Sequence, residues 1–196
     1  MDAFNLLKAD HQKVAGLFDE LESADGKQKL SVFAEIKTEL ELHTHVEETI
    51  FYPALEEPKE THDLTLEAYE EHDVVKRLLQ ELSRARSANE EWEAKAKVLR
   101  ENVEHHVEEE ENELFKKASK ALSRDEIETL GEQMQSEKER KQRTGAKRSG
   151  ASKSASKTKS ASTAQKRNRA STKSASKSSS TPAASKRSSK SAAKKR

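Results

Sequence analysis

A chain of 196 residues that is 37% charged and only 32% hydrophobic, with 37 Lys and Arg against 36 Asp and Glu, is too polar to be globular along its whole length. The near-neutral total hides a division: residues 140–196 carry 19 Lys and Arg and no acid, which leaves 18 basic against 36 acidic residues in 1–139, an acidic portion followed by a basic arm. The lack of cysteine excludes disulfides and thiol chemistry and restricts metal ligands to nitrogen and oxygen, and no apolar run nears the ~20 residues that span a bilayer, so a soluble cytoplasmic protein without a membrane segment is expected.

The periodicity before residue 140 is helical throughout. Asp2 is placed to cap a first helix that runs to about Glu22, with Phe4, Leu7, His11, Val14, Phe18 and Leu21 on one stripe. Ser23–Gly26 forms a turn. The second helix extends to about Leu55, its stripe reading Phe33, Ile36, Leu40, His43, Glu47, Ile50 and Ala54, and Pro53 and Pro58 mark its end. A third helix over residues 59–86 points Ala68, His72, Val75, Leu79 and Leu82 inward, and Asn89 caps a fourth that carries Trp92, Ala96, Leu99, Val103, His106, Glu110 and Leu114. Ser123 with Glu126 is a capping box that opens a short fifth helix to about Lys141. The fold expected is all-α: an up-down-up-down four-helix bundle over 1–122, a short helix over 123–141, and a disordered Lys/Ser/Ala-rich tail over 142–196. The tail has no aromatic or large aliphatic side chain to offset ordering entropy, and Lys153–Lys157 recurs as Lys173–Lys177.

Six polar residues stand where those stripes call for apolar ones: His11, His43, Glu47, His72, His106 and Glu110. Two helices supply the same pair, His with Glu four residues later, which stacks both side chains on one face. Carboxylates turned into a bundle interior cost several kcal/mol unless paired, protonated or metal-bound. Two cations bridged by the glutamates and closed by the histidines remove that cost. Imidazole and carboxylate without thiolate suit iron or manganese, and zinc less specifically. Of the adjacent pairs His105/Glu109 and His106/Glu110, only the second continues the Ala96, Leu99, Val103 stripe, so His105 and Glu109 are read as neighbours. His45 is read as flanking, His62 as surface, and the Glu108–Glu111 run as a solvated face apart from Glu110.

These segments resemble the hemerythrin-like HHE cation-binding family. Asp10-His11 is similar to its first-helix histidine, and His43-Thr44-His45-Val46-Glu47-Glu48 before Phe51-Tyr52-Pro53 to its His-x-x-x-Glu-Glu…Phe-Tyr-Pro segment. Glu71-His72-Asp73 is similar to the third-helix histidine. His106–Glu111 before Leu114-Phe115 repeats the second-helix pattern, with Lys116 where the family often has proline. The resemblance covers 1–122 and implies a non-haem di-iron centre. Reversible oxygen carriers of the family place another histidine one turn after the third-helix one; here that position is Lys76, which points away from a carrier and toward a domain responding to dioxygen, peroxide or iron redox state. The ferritin-like pattern requires Glu-x-x-His, and no histidine of the chain has a glutamate three residues before it.

The expected function is therefore a di-iron protein in which Glu47 and Glu110 bridge the metals, His11, His43, His72 and His106 are terminal ligands, and Phe51, Leu99 and Leu114 line an apolar cage for a small ligand. The alternative is a nucleoid-associated DNA-binding protein whose bundle is a scaffold. Its tail resembles those of linker-histone-like proteins, and it would neutralise phosphates without reading bases. An enzyme consuming peroxide is a third reading, to which no residue pattern points.

Overall fold

The computed structural model describes residues 1–163, with side chains as far as residue 144. Its helices are α1 (Ala3–Ser23), α2 (Gly26–Val46), α3 (Tyr52–Leu55), α4 (Lys59–Ser83), α5 (Glu90–Glu109), α6 (Phe115–Ala121) and α7 (Arg124–Thr163). Single π-helical turns, Glu47–Phe51 and Glu110–Leu114, join α2 to α3 and α5 to α6, so each pair forms one long rod. Among the described residues there is no strand. The four rods α1, α2–α3, α4 and α5–α6 make the up-down-up-down bundle.

The helix ends follow local chemistry. The Asp2 carboxylate accepts the Asn5 N–H at 2.9 Å, and the Asn89 side chain accepts the Trp92 N–H at 3.0 Å. Glu126 accepts the Ser123 N–H at 2.7 Å while the Ser123 hydroxyl accepts the Glu126 N–H at 3.3 Å, completing the capping box. Gly26, with φ of 41°, allows the tight α1–α2 turn.

Two apolar clusters fill the interior. One holds Phe18, Phe33, Ile36, Leu79, Trp92 and Leu99 among others, with the Trp92 indole N–H donating to the Leu82 carbonyl at 3.2 Å. The other gathers Leu7, Phe51, Tyr52, Leu55, Phe115 and Met134. The polar positions of the stripes fall between them in sequence, between Leu7 and Val14 on α1 and between Ala68 and Val75 on α4.

The expected stripe on the second rod fails after Glu47. Ile50 and Ala54 are only partly buried, and Phe51, Tyr52 and Leu55 are buried in their place. The π-turn accommodates one more residue than an α-turn, which shifts the inward face by one position.

The last helix is longer than expected, reaching Thr163 rather than residue 141. No proline, which would break a helix, occurs between Pro58 and Pro182. The tail expected over 142–196 begins within this helix, while 164–196, including Lys173–Lys177, lie outside the described residues. The chain divides into two compact units, of which the first is Met1–Gly150. Within it, Met134 of α7 is fully buried, and Gly131 sits so close to α1 that a β-carbon there would lie 2.6 Å from the Ala3 nitrogen. No described helix is long and apolar enough to cross a membrane.

Candidate metal centre

All six polar stripe residues are buried, from Glu47 at 0% exposure to His11 at 6%, and the structure brings them together. His11, His43, Glu47 and Glu110 present one nitrogen or oxygen each within 4.8 Å of one another, and so do Glu47, His72 and His106. Glu47 belongs to both groups. The His11 and His43 rings are 4.9 Å apart and the His72 and His106 rings 4.8 Å apart.

Each imidazole has an inner and an outer nitrogen. The inner ones converge: Nε2 of His43 and of His72 lie 3.1 and 3.4 Å from Glu47 Oε2, and His11 Nε2 lies 3.2 Å from Glu110 Oε2. Nε2 of His72 and His106 face each other at 3.3 Å. The outer nitrogens each meet a carboxylate. Nδ1–H of His11 donates to Glu111 at 2.7 Å, that of His72 to Glu48 at 2.9 Å, and that of His106 to Glu71 at 2.7 Å. His43 Nδ1 stands 3.5 Å from Asp10. A carboxylate can only accept, so these contacts place the proton on Nδ1 and leave Nε2 as a bare lone pair turned inward, the arrangement by which outer carboxylates orient metal-binding imidazoles.

The local backbone serves the same end. Glu47 and Glu110 each begin a π-turn, closed by Tyr52 N–H to the Glu47 carbonyl and Phe115 N–H to the Glu110 carbonyl. Such turns inside helices concentrate at functional sites. Pro53 follows the first turn, but Lys116 occupies the matching place after the second, so proline is not what makes the distortion.

The electrostatics fit cations. Burial, then the neighbouring Glu110, pushes Glu47 well above its ordinary 4.5. Burial acts to raise Glu110 too, but His11, His106 and His43 hold it below its ordinary value. His43 is driven down to about 4, chiefly by burial. Both oxygens of Glu47 and of Glu110, both nitrogens of His43 and Nε2 of His11 are buried without a hydrogen-bond partner among the described residues. Native proteins rarely leave one such atom unsatisfied. With the outer Nδ1 of His43 set aside, the other six are all imidazole nitrogen or carboxylate oxygen and match the donor set of two hard or borderline cations.

Sequence reasoning missed three parts of this site. Asp10, Glu48, Glu71 and Glu111 had no outer role, and Glu111 was read as solvated. Tyr52, fully buried, places its hydroxyl 3.3 Å from His72 Nε2; the one-residue shift at the π-turn explains why the stripe did not show it. The expected cage is met in part: Leu114 lines a cleft with His106 and Glu110, but the free space of about 20 Å³ that adjoins the four histidines is walled by Val14, Leu40, Val75 and Val103, and Phe51 and Leu99 pack in the apolar clusters. His45 bonds Glu137 of α7 at 2.8 Å, and His62 and His105 are exposed, as expected of residues outside the centre.

Comparison with known proteins agrees with this geometry. Residues 2–118 match the family model described as the hemerythrin HHE cation binding domain. A solved structure, a hemerythrin HHE cation binding domain-containing protein from Mycobacterium kansasii, superposes with a TM-score of 0.64 at 26% identity, covering 71% of this chain and 86% of that one. A Nostoc protein named DNA nickase is 30% identical over 153 residues, 77% of this chain but only 43% of that relative's length. With six buried ligand-type residues in one layer and more than half of its length matched, the chain belongs to the hemerythrin HHE cation-binding family.

Proposed function

We propose that the centre holds two iron ions, with Glu47 and Glu110 bridging them and His11, His43, His72 and His106 as terminal ligands, and that it binds or senses dioxygen, peroxide or iron redox state. The observation that carries this reading is the set of six partnerless buried donor atoms left when the outer Nδ1 of His43 is set aside. Manganese or zinc suits the same donors, though zinc has no redox chemistry of its own. When bound, iron supplies reversible redox and small-ligand binding. The chain's part is to hold four Nε2 lone pairs inward through Asp10, Glu48, Glu71 and Glu111, and to keep bulk water from the site. The space walled by Val14, Leu40, Val75 and Val103 adjoins all four imidazoles and has room for about one or two water-sized bodies, the size of dioxygen or peroxide. The test is metal content after expression in iron-supplemented medium, with spectra under reducing and then aerobic conditions. Two irons per chain and a spectral change on exposure to air are expected, both lost in Glu47→Gln/Glu110→Gln. A ratio near zero that the substitutions leave unchanged would count against the reading.

A second reading, contact with DNA, is favoured by the relative named DNA nickase together with the 19 basic residues and no acid over 140–196. Phosphate neutralisation by such a segment gives sequence-independent binding that weakens steeply with salt. Gel-shift titrations of the full chain at rising salt, beside a chain ending at Gly150, test it. Binding that the shortened chain retains in full would refute the role of the basic segment.

A further inference from the structure

Asp10 differs from the other carboxylates behind the histidines in what answers its charge. Glu48 is paired with Lys76 of α4 at 2.6 Å and Glu111 with Lys8 of α1 at 4.0 Å, both partners belonging to the four rods. Asp10 is held instead by Lys138 of α7, which donates to both of its oxygens, at 2.6 Å to Oδ2. The Lys138 and Asp10 side chains are 12% and 13% exposed, and a charge so far buried is costly once its partner is gone. The same Oδ2 stands 3.5 Å from His43 Nδ1, whereas the other three imidazoles reach their carboxylates at 2.7, 2.9 and 2.7 Å. His43 is thus the inward histidine with the loosest outer contact, and that contact depends on a helix outside the four rods.

Further contacts seat α7 around this ion pair. Glu137 accepts the Nε2–H of His45, two residues after His43 on α2, at 2.8 Å. Met134 is fully buried in the apolar cluster that also holds Leu7 of α1 and Val46 of α2, and Gly131 packs against the backbone of residues 1–3. α7 therefore rests on the two helices that supply His11 and His43. Arg140, the first basic residue of the 140–196 segment, donates to Glu137 at 2.7 and 2.6 Å, so that segment begins on the docked face.

We propose that Lys138 is a positioning residue for the centre, coupling the docking of α7 to metal occupancy through Asp10 and His43: a cation on His43 tightens α7, and docked α7 tightens the hold on the cation. This rests on the metal-binding reading above. A cation on Nε2 polarises the imidazole and makes Nδ1–H a stronger donor to the carboxylate behind it. Asp10 can answer that donor without giving up Lys138, because Oδ2 faces both partners while Oδ1 also accepts from the lysine. In the other direction, Lys138 fixes the carboxylate where His43 can use it, and freeing α7 leaves His43 without a fixed acceptor. Linkage makes the two effects equal in size, and such couplings are typically about 5–150-fold. The state of the centre is thereby passed to the place where the basic segment begins.

The test uses the full, metal-free chain with and without Zn²⁺, which binds such donors without redox change. It reads amide hydrogen exchange over residues 124–141, which reports local opening of α7, beside Zn²⁺ affinity by calorimetry. Zn²⁺ is expected to slow α7 exchange about tenfold in the wild type and in Lys138→Arg. In Lys138→Met that slowing should vanish while Zn²⁺ still protects the four rods, and affinity should fall by the same factor, about tenfold. Gly131→Ala, which loosens α7 without touching the ion pair, should lower affinity in the same direction. α7 exchange that Zn²⁺ leaves unchanged in a wild type that binds it would overturn the coupling and leave the centre standing, as would wild-type affinity in either Lys138→Met or Gly131→Ala. A wild-type chain that binds no Zn²⁺ would overturn both.

Discussion

Removing one buried carboxylate charge without changing its shape separates the two things Glu47 does. In the metal-free protein Glu47 is a liability: it is fully buried, both oxygens are partnerless, and Glu110 lies beside it. A buried ion without compensation costs several kcal/mol, whereas a neutral amide left unsatisfied costs about 1–3 kcal/mol. Glu47→Gln is therefore expected to stabilise the metal-free chain by about 1–3 kcal/mol at pH 8, which for a bundle of this size raises Tm by roughly 2–12 °C. The sign with pH follows from the raised value of Glu47. A carboxyl that holds its proton more tightly when folded contributes stability below its unfolded value, near 4.5, and loses it as pH rises through the folded one. The advantage of the Gln variant should therefore grow from pH 5 to pH 8. Metal reverses the ranking. A cation at a hundred times its Kd adds about 2.7 kcal/mol, roughly 5–11 °C in Tm, to the wild type, and most of that shift should vanish in Glu47→Gln. Melts by circular dichroism, with and without Zn²⁺ at several pH values, read both effects. A metal-free Gln variant that melts below the wild type and keeps the full metal shift would refute the reasoning.

Further outcomes follow from the outer layer and from α7. Glu48→Gln and Glu111→Gln leave the fold intact but loosen His72 and His11, so Zn²⁺ affinity by calorimetry should fall about 10–100-fold. Gly131→Ala pushes a methyl group into the backbone of residues 1–3 and should cost about 1–3 kcal/mol in urea unfolding; a change within a few tenths would mean α7 does not dock there. Lys138→Ala removes the ion pair that holds Asp10 behind His43, with a loss of roughly 1–2 kcal/mol in the same assay.

The four rods were legible because each carries a helical stripe bounded by residues with one local job. Asp2, Asn89, Ser123 with Glu126 and Gly26 all cap or turn the chain where the pattern stops. The stripe also exposed the inner six residues, since a histidine or glutamate in line with leucines is visible as an interruption. It failed at the first π-turn. A pattern rule assumes one period, so the residue absorbed after Glu47 turned Tyr52 and Phe51 inward while Ile50 was expected.

The outer layer was hidden more deeply. Asp10, Glu48, Glu71 and Glu111 lie beside the stripe, where a carboxylate is indistinguishable in sequence from the solvated acids that make up most of this portion of the chain. What separates them is the partner on each side. An outer carboxylate bound to an imidazole Nδ1 and a lysine, as Glu48 is to His72 and Lys76, is an anchored acceptor with its charge answered. Glu71 binds its imidazole equally well yet has only His105 and another carboxylate on its far side. Asp10 and Glu71, each just before an inward histidine, stand at matching places, yet Lys138 answers the first and no described lysine or arginine answers the second. That difference comes from what stands on the far side: Lys138 of α7 behind Asp10, and His105 with Glu109 behind Glu71.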